Sequence, residues 1–406
     1  MTSDWKGPLG NIRVLDFTRV LAGPFATQLL GDLGADIVKI EAPGKGDDTR
    51  HFPPFLGELS HYFIALNRSK RSIVLDLRKP EAIEIVRRMA ATADVVIENF
   101  RPGVMDRLGL GYAALAAINP RIVYCAISGF GATGPMSDKP SFDIVTQALS
   151  GAMSVNGEPG QPPVKLGLPL GDMVGGIYGS IGVLAALNER NETGRGRKID
   201  LSLLDGLMGM LGYLAQLYFV NGTSPAPVGT RHPNLVPYGA FKASDGYIIV
   251  ACLTEEFWKN LARAIGQPDL PADERFRDYP SRLKHRDALD AIVQAAIGAR
   301  PVAEWLKILD ENDVPHAPIL SVGQALEHPN TTARGMVETV THPVVGEMRL
   351  VGRPIRYEGA PQAPLTPPPL LGEHGAAILR ELLDMPDAEI ERLQAAGVVV
   401  PQGAGR

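Results

Sequence analysis

Cysteine is nearly missing from this chain: two thiols stand in 406 residues, Cys125 in RIVYCAISGF and Cys252 in YIIVACLTEE. Neither has a CxxC partner, which excludes a disulfide-stapled secreted scaffold, and both are expected as buried, reduced residues. An excess of basic charge is missing too. The formal net charge of −5 offers nucleic acid or an anionic membrane no general attraction, so an anionic ligand has to find a local basic pocket. No window holds 18 uninterrupted apolar residues, and the opening MTSDWKGPLGNIRVLDF has no basic segment followed by an apolar one. The expectation is a soluble, cytoplasmic protein with no membrane and no nucleic acid among its partners. No GxGxxG follows the first strand-like run, and GxSxG and paired Cys/His spacings are absent, which removes support for dinucleotide binding and for serine or thiol hydrolysis. The eight histidines are scattered without ligand spacing, so no metal is expected.

What is present is an ordinary globular composition, 45% hydrophobic and 21% charged, rich in glycine and proline and long enough for two domains at about 150 residues each. In the first half, short β-branched runs alternate with helical segments. IRVLDF (12–17), ADIVKIE (35–41), RSIVLDL (71–77), ADVVIENF (93–100) and RIVYCAIS (121–128) read as strands; GPFATQLLGDLG, KPEAIEIVRRMAATA and YAALAAINP read as helices between them. That alternation predicts an α/β fold with a mostly parallel, doubly wound sheet. A long small-residue helix follows from Asp172 to Asn188, then a strand and another apolar helix. NGTSPAPVGTRHPNLVPYGAF (221–241) reads as a linker, and the segments from GYIIVAC to VPHAPIL read as a second, smaller α/β unit. The Pro-rich tail from Thr341 reads as chain laid over another surface.

The stretch LGDMVGG poses the functional question. An Asp that opens a helix is by default an N-cap, satisfying orphan N–H groups for about 1 kcal/mol. Around Asp172, however, Gly171, Gly175, Gly176 and Gly179 leave little side-chain volume, so a large ligand can approach the carboxylate. A carboxylate is already ionised at pH 7, with a reference pKa of about 3.9, and attacks an activated acyl group without a base. EAPGKGD (41–47), with Lys70 and Arg71 of NRSKRS, reads either as solvated loop charge or as a cradle for phosphates, although GKG lacks P-loop spacing. ENFRPGVMDRLGLGY places Asn99, Arg101 and Arg107 just beyond a strand's C-terminal end, where open α/β sheets bind ligands.

Taken in order, VLDFTRVLAGPFATQLLGDLGADIVKIE, NRSKRSIVLDL, VVIENFRPGVMDRLGLGY, GFGATGP, LGDMVGG, TGRGRKIDLSL and PLLGEHG resemble the family III coenzyme A transferases over nearly the whole chain. The resemblance implies an interlocked homodimer. Each chain would have a Rossmann-like large domain built from both chain ends (1–220 and 326–406), a linker (221–240) and a smaller central α/β domain (241–325). It makes Asp172 the acyl-accepting nucleophile. It places coenzyme A against Val20, Leu21 and Ala22, Leu75 to Arg78, Asn99, Phe100 and Arg101, and Arg107, while Ala42 stands where formyl-CoA transferases carry an arginine against the adenine. No resident cofactor is implied; the CoA thioester is a substrate.

Departures from the family narrow the activity. Related racemases carry a His where Phe142 stands, and a phenyl ring transfers no proton. Formyl-CoA transferases have a Gln at the position of Leu21 and a glycine-rich loop missing between Tyr238 and Trp258, which argues against oxalate. The expected reaction moves CoA from an acyl-CoA donor to a small carboxylic acid through an aspartyl-CoA thioester, with backbone N–H groups near Gly171 stabilising the oxyanions. An acyl-CoA racemase and a non-catalytic CoA-binding protein are the alternatives. Arg231 and His232, in a segment similar to those of family members that handle succinyl or mesaconyl thioesters, suit a grip on the distal carboxylate of a four- or five-carbon diacid. Arg231 reads equally as a linker anchor held by an ion pair.

Overall fold

The β-branched runs form the parallel strands β1 (Arg13–Asp16), β2 (Asp36–Glu41), β3 (Lys70–Leu75), β4 (Val95–Glu98), β5 (Val123–Ser128) and β6 (Lys198–Ser202). The computed structural model describes residues 6–362 and 365–403. Across the sheet these strands run β3-β2-β1-β4-β5-β6. Val14 of β1 pairs with Ile37 on one side and Val95 on the other, so the first strand is central. The winding direction reverses between β1 and β4, which leaves a crevice beyond their C-terminal ends, the place where such sheets bind ligands.

Alternation along each strand decides which layer covers which face. Leu15, Val38, Ile73, Leu75, Val96 and Tyr124 pack on one side with α2 (Pro80–Ala90). Val14, Ile37, Val95, Ile97, Cys125 and Ile127 pack on the other with α1 (Ala22–Asp32). After β5 the chain forms α3 (Asp143–Leu149) and α4 (Leu170–Thr193), and after β6 it forms α5 (Leu203–Met210). α4 is apolar and long enough to cross a membrane by composition alone, but it is built into this core. A Cβ on Gly176 would lie 2.9 Å from the Ala22 carbonyl oxygen and 3.2 Å from the Ala26 nitrogen of α1.

The chain divides into two units, one of Met1–Ala152, Lys165–Phe219 and Ala333–Arg406, the other of Met153–Val164 and Val220–Thr332. The smaller unit has the antiparallel strands β7 (Tyr238–Lys242), β8 (Tyr247–Ala251) and β9 (His316–Pro318). Its core gathers Phe241, Ile248, Val250, Trp258, Leu261, Leu289 and Trp305. The indole N–H groups are satisfied by backbone carbonyls, Trp258 donating to Phe276 and Trp305 to Ile297, so these rings are buried without an orphan donor. Cys125 and Cys252 are both buried free thiols.

The tail is more structured than its composition suggests. It makes a hairpin of β10 (Val337–His342) and β11 (Gly346–Val351), then α6 (Gly375–Leu383), α7 (Asp387–Ala395) and β12 (Val399–Val400). β12 adds antiparallel to the β3 edge, Val399 opposite Leu75 and Val400 opposite Val74. An exposed parallel edge is thereby paired within the chain.

Candidate active site

Asp172 is not the cap of its helix. α4 starts at Leu170 after Pro169, with Asp172 as its third residue. The orphan N–H groups are taken instead by Asp143 at the start of α3, whose Oδ1 accepts from Gly171 N at 2.7 Å and from Asp172 N at 3.3 Å. Asp143 is fixed in turn by Gln147, which donates to its Oδ2 at 2.6 Å. One acid therefore does the capping and leaves the other's side chain unused by the fold. Among the described residues none donates a hydrogen bond to the Asp172 carboxylate. Burial first, and the neighbouring Asp143 second, push its pKa up to about 7. A partly buried carboxylate in a first helical turn gains at most about 2 kcal/mol from the helix dipole, less than this displacement represents. Tyr62 belongs to the same neighbourhood, its phenol raised by burial and then by Asp172 and Asp143.

Two expectations about this helix are corrected. The N–H groups of Gly171 and Asp172 are engaged by Asp143, so they are not the oxyanion donors. The glycines serve packing rather than ligand approach: a Cβ on Gly175 would meet Leu203 at 2.2 Å, and one on Gly179 would meet Ile127 at 3.1 Å. Close apposition of α4 to α1 is what brings the start of both helices to one cavity.

That cavity, about 320 Å³, opens at the crevice beyond β1 and β4. Its walls are Arg19 to Ala22 after β1, Asp48, Asn99 to Pro102 after β4, Ile127 to Phe130 at the end of β5, Ser137 and Lys139 to Phe142, and Asp172 with Leu203. Arg19, Arg101 and Lys139 give it a basic wall, the local pocket that a chain of net negative charge needs for an anion. Arg19 is 3.4 Å from Asp48 and lies over the Phe100 ring, 5.7 Å from its centroid. Phe142 is 72% exposed on this wall, an apolar surface beside the carboxylate.

Of the residues expected at coenzyme A, the structure brings Val20, Leu21, Ala22, Asn99, Phe100 and Arg101 to the cavity with Asp172. Six others, Ala42, Leu75 to Arg78 and Arg107, lie outside its walls. Leu75 is fully buried and Ala42 is exposed; the Arg78 guanidinium is clasped by Asp76; Arg107 ends the short helix Val104–Arg107. The phosphate-cradle reading of Lys70 and Arg71 is overturned. Lys70 is buried against Asp16 and Asn67, and Arg71 is held by Asp36 and Glu381. In the smaller unit Arg231 pairs with Asp287 at 3.6 Å. His232 Nδ1 accepts from the N–H groups of Asn234 and Leu235, and burial, with Arg286 second, holds its pKa down. Sequence reasoning missed Asp143, Lys139 and Tyr62; Asp143 carried one signal, an acid directly before a helical run and beside the much-weighed Phe142.

A family model described as CoA-transferase family III matches residues 9–375. Acetyl-CoA:oxalate CoA-transferase of Acetobacter aceti is 41% identical over 378 residues, 93% of this chain and 96% of that protein. Human succinyl-CoA:glutarate CoA-transferase is 37% identical over 393 residues, 97% of this chain and 90% of that protein. Among solved structures, a CAIB/BAIF family protein from Brucella suis matches with a TM-score of 0.83 at 40% identity, covering 93% of this chain and all of that one.

Proposed function

The chain belongs to CoA-transferase family III and is a CoA-transferase, and from that premise we propose that Asp172 carries the transfer through covalent aspartyl intermediates. A carboxylate oxygen of Asp172 attacks the donor thioester carbonyl; the C–S bond breaks, leaving a mixed anhydride and CoA thiolate. The thiolate attacks the aspartyl carbonyl of that anhydride, releasing the donor acid and forming an aspartyl-CoA thioester. The acceptor carboxylate then attacks this thioester and expels the thiolate, and attack of the thiolate on the acyl carbonyl of the second anhydride gives the new acyl-CoA and returns the Asp172 carboxylate. No proton is gained or lost over the cycle. The observation that carries this reading is a carboxylate with no hydrogen-bond donor of its own among the described residues, in a basic-walled cavity at the point where the sheet reverses. Poor solvation keeps such an oxygen nucleophilic, and a walled cavity protects an anhydride from water.

The acids in this reading are small dicarboxylates. The names of the relatives carry oxalate, succinyl and glutarate, which supports the class and returns oxalate to the acids worth testing. Arg231 remains the proposed grip on the distal carboxylate, its exposed pair with Asp287 being weak enough to exchange. The proposal also takes the protein to be a cytoplasmic, interlocked homodimer without a metal or resident cofactor. Exposed Met208, Met210, Tyr213 and Phe219 support the dimer, as apolar surface that a second copy would cover. The deciding experiment incubates the enzyme with succinyl-CoA or acetyl-CoA and a panel of labelled acids. Label is expected in the new thioester, with Asp172 modified after hydroxylamine or borohydride trapping and transfer abolished in Asp172→Ala. Transfer surviving that substitution overturns the mechanism.

A further inference from the structure

The segment Glu41–Asp47 folds a carboxylate underneath the cavity wall. Gly46, at φ +63, turns Asp47 inward, where it is 2% exposed. Asp47 Oδ1 accepts from Val20 N at 3.1 Å and Thr49 N at 3.0 Å, and its Oδ2 is 3.0 Å from Lys39 Nζ. Lys39, itself buried, donates to the Thr18 carbonyl at 2.7 Å. Asp16 accepts from Thr18 N at 2.8 Å. Asn99 closes on the next residue from the other side, accepting from Arg19 N at 3.0 Å and donating to the Arg19 carbonyl at 2.8 Å. Both backbone polar groups of Thr18 and of Arg19, and the N–H of Val20, are thus held by side chains from β1, β2 and the loops after β2 and β4.

What they hold is a conformation the local sequence does not favour. Val20 has φ +67, a left-handed backbone that a β-branched residue adopts only when its surroundings over-determine it. The residue four on from Val20 is Pro24, which has no N–H to offer the Val20 carbonyl. The turn so constrained runs straight into Arg19 to Ala22 of the cavity wall. Asp47 is not part of that wall, and its side chain is fully buried.

We propose that Asp47, acting with Lys39 and Asn99, is a positioning residue of the coenzyme A site: it fixes the Thr18–Val20 turn in the shape that receives the thioester substrate, without touching that substrate. The inference rests on the CoA-transferase reading for the identity of the ligand alone. Four readouts test it: apparent KM for succinyl-CoA, kcat, calorimetric binding of free CoA, and hydrogen exchange at the amides of Thr18 to Ala22. Asp47→Ala should raise KM about tenfold and speed exchange at the turn while kcat stays within about threefold, the pattern of lost ground-state positioning. Asp47→Asn keeps an acceptor for the Val20 N–H and should hold KM within about threefold, although it lowers Tm by removing one of the three carboxylates, Asp47, Asp16 and Glu41, that compensate Lys39. If Asp47→Ala does not fold, Lys39→Met/Asp47→Ala removes both buried charges together and should show the same tenfold change. Equal KM changes for the Ala and Asn variants, or turn amides in Asp47→Ala that exchange as slowly as in the wild type, overturn the inference while leaving the transferase reading intact. A wild-type protein that binds no CoA overturns both.

Discussion

Replacing Asp172 by Asn should make the protein more stable at alkaline pH while destroying its activity. The carboxyl pKa is raised from 3.8 to about 7 in the folded chain, so between those values the folded state holds a proton that the unfolded state has released. Stability therefore falls as pH rises through this window, and the whole penalty is present above pH 7. The full displacement corresponds to about 4 kcal/mol. Because the carboxylate faces an open cavity, solvent screening brings the expected cost to about 2 kcal/mol. Asparagine has the shape of the protonated acid and escapes that cost. For a unit of roughly 280 residues the gain amounts to about 3–4 °C in Tm. Thermal unfolding at constant ionic strength and scan rate, from pH 5 to pH 8.5, checks it. The advantage of the variant should grow with pH and level off above about 7. An advantage independent of pH, or an Asn variant that melts below the wild type at pH 8.5, refutes the reasoning.

The same titration sets the pH dependence of catalysis: attack needs the ionised form, so kcat/KM should rise with pH to a plateau above about 7. In Asp143→Asn that acidic limb should move down by less than half its displacement, because burial is the larger cause, and an unmoved limb would sink the like-charge account. Gly176→Ala should cost about 1–3 kcal/mol by denaturant titration, since its Cβ would meet the Ala22 carbonyl oxygen at 2.9 Å; a neutral effect would show that α1 and α4 can part freely. Arg231→Gln should lose activity toward dicarboxylic acids and spare monocarboxylic ones, measured as kcat/KM over the acid panel, and equal loss for both classes removes Arg231 from substrate binding.

The layers of the larger unit were legible because their cause is local. Strand and helix periods in 12–17, 35–41, 71–77, 93–100 and 121–128 match β1 to β5; β1, β2, β4 and β5 are trimmed at one or both ends, and β3 begins one residue earlier, at Lys70, and ends at Leu75. The strand order is not written in any one segment. It comes from which edges remain to be covered, and β12, two residues in a Pro-rich tail, is a strand only because the β3 edge accepts it. The linker reading of 221–241 likewise overran its end, as Tyr238–Lys242 pairs with Tyr247–Ala251. Proline and glycine announce turns but not the residue at which a partner strand resumes the pairing.

At the site the difference is between identity and wiring. Asp172 stood out because its residue type is unusual among glycines, a property of composition along the chain. Its unused carboxylate is a property of Asp143, 29 residues away, which takes the N–H groups that an isolated reading assigns to Asp172 itself. The glycines beside it mislead for the same reason: a missing Cβ shows that something comes close, not whether it is a ligand or a second helix. Buried charges mislead most. Lys70, Arg71 and the loop carboxylate Asp47 read as surface charge near a phosphate site, yet Lys70 and Asp47 are paired inside the fold and Arg71 is half-buried between Asp36 and Glu381. A buried charge is tolerated only with a partner in place, so cations that look available in sequence are committed to holding the wall, and those that can meet an anionic substrate are at its rim: Arg101, with Arg19 and Lys139, whose pairs with Asp48 and Asp138 are solvent-exposed and weak enough to exchange.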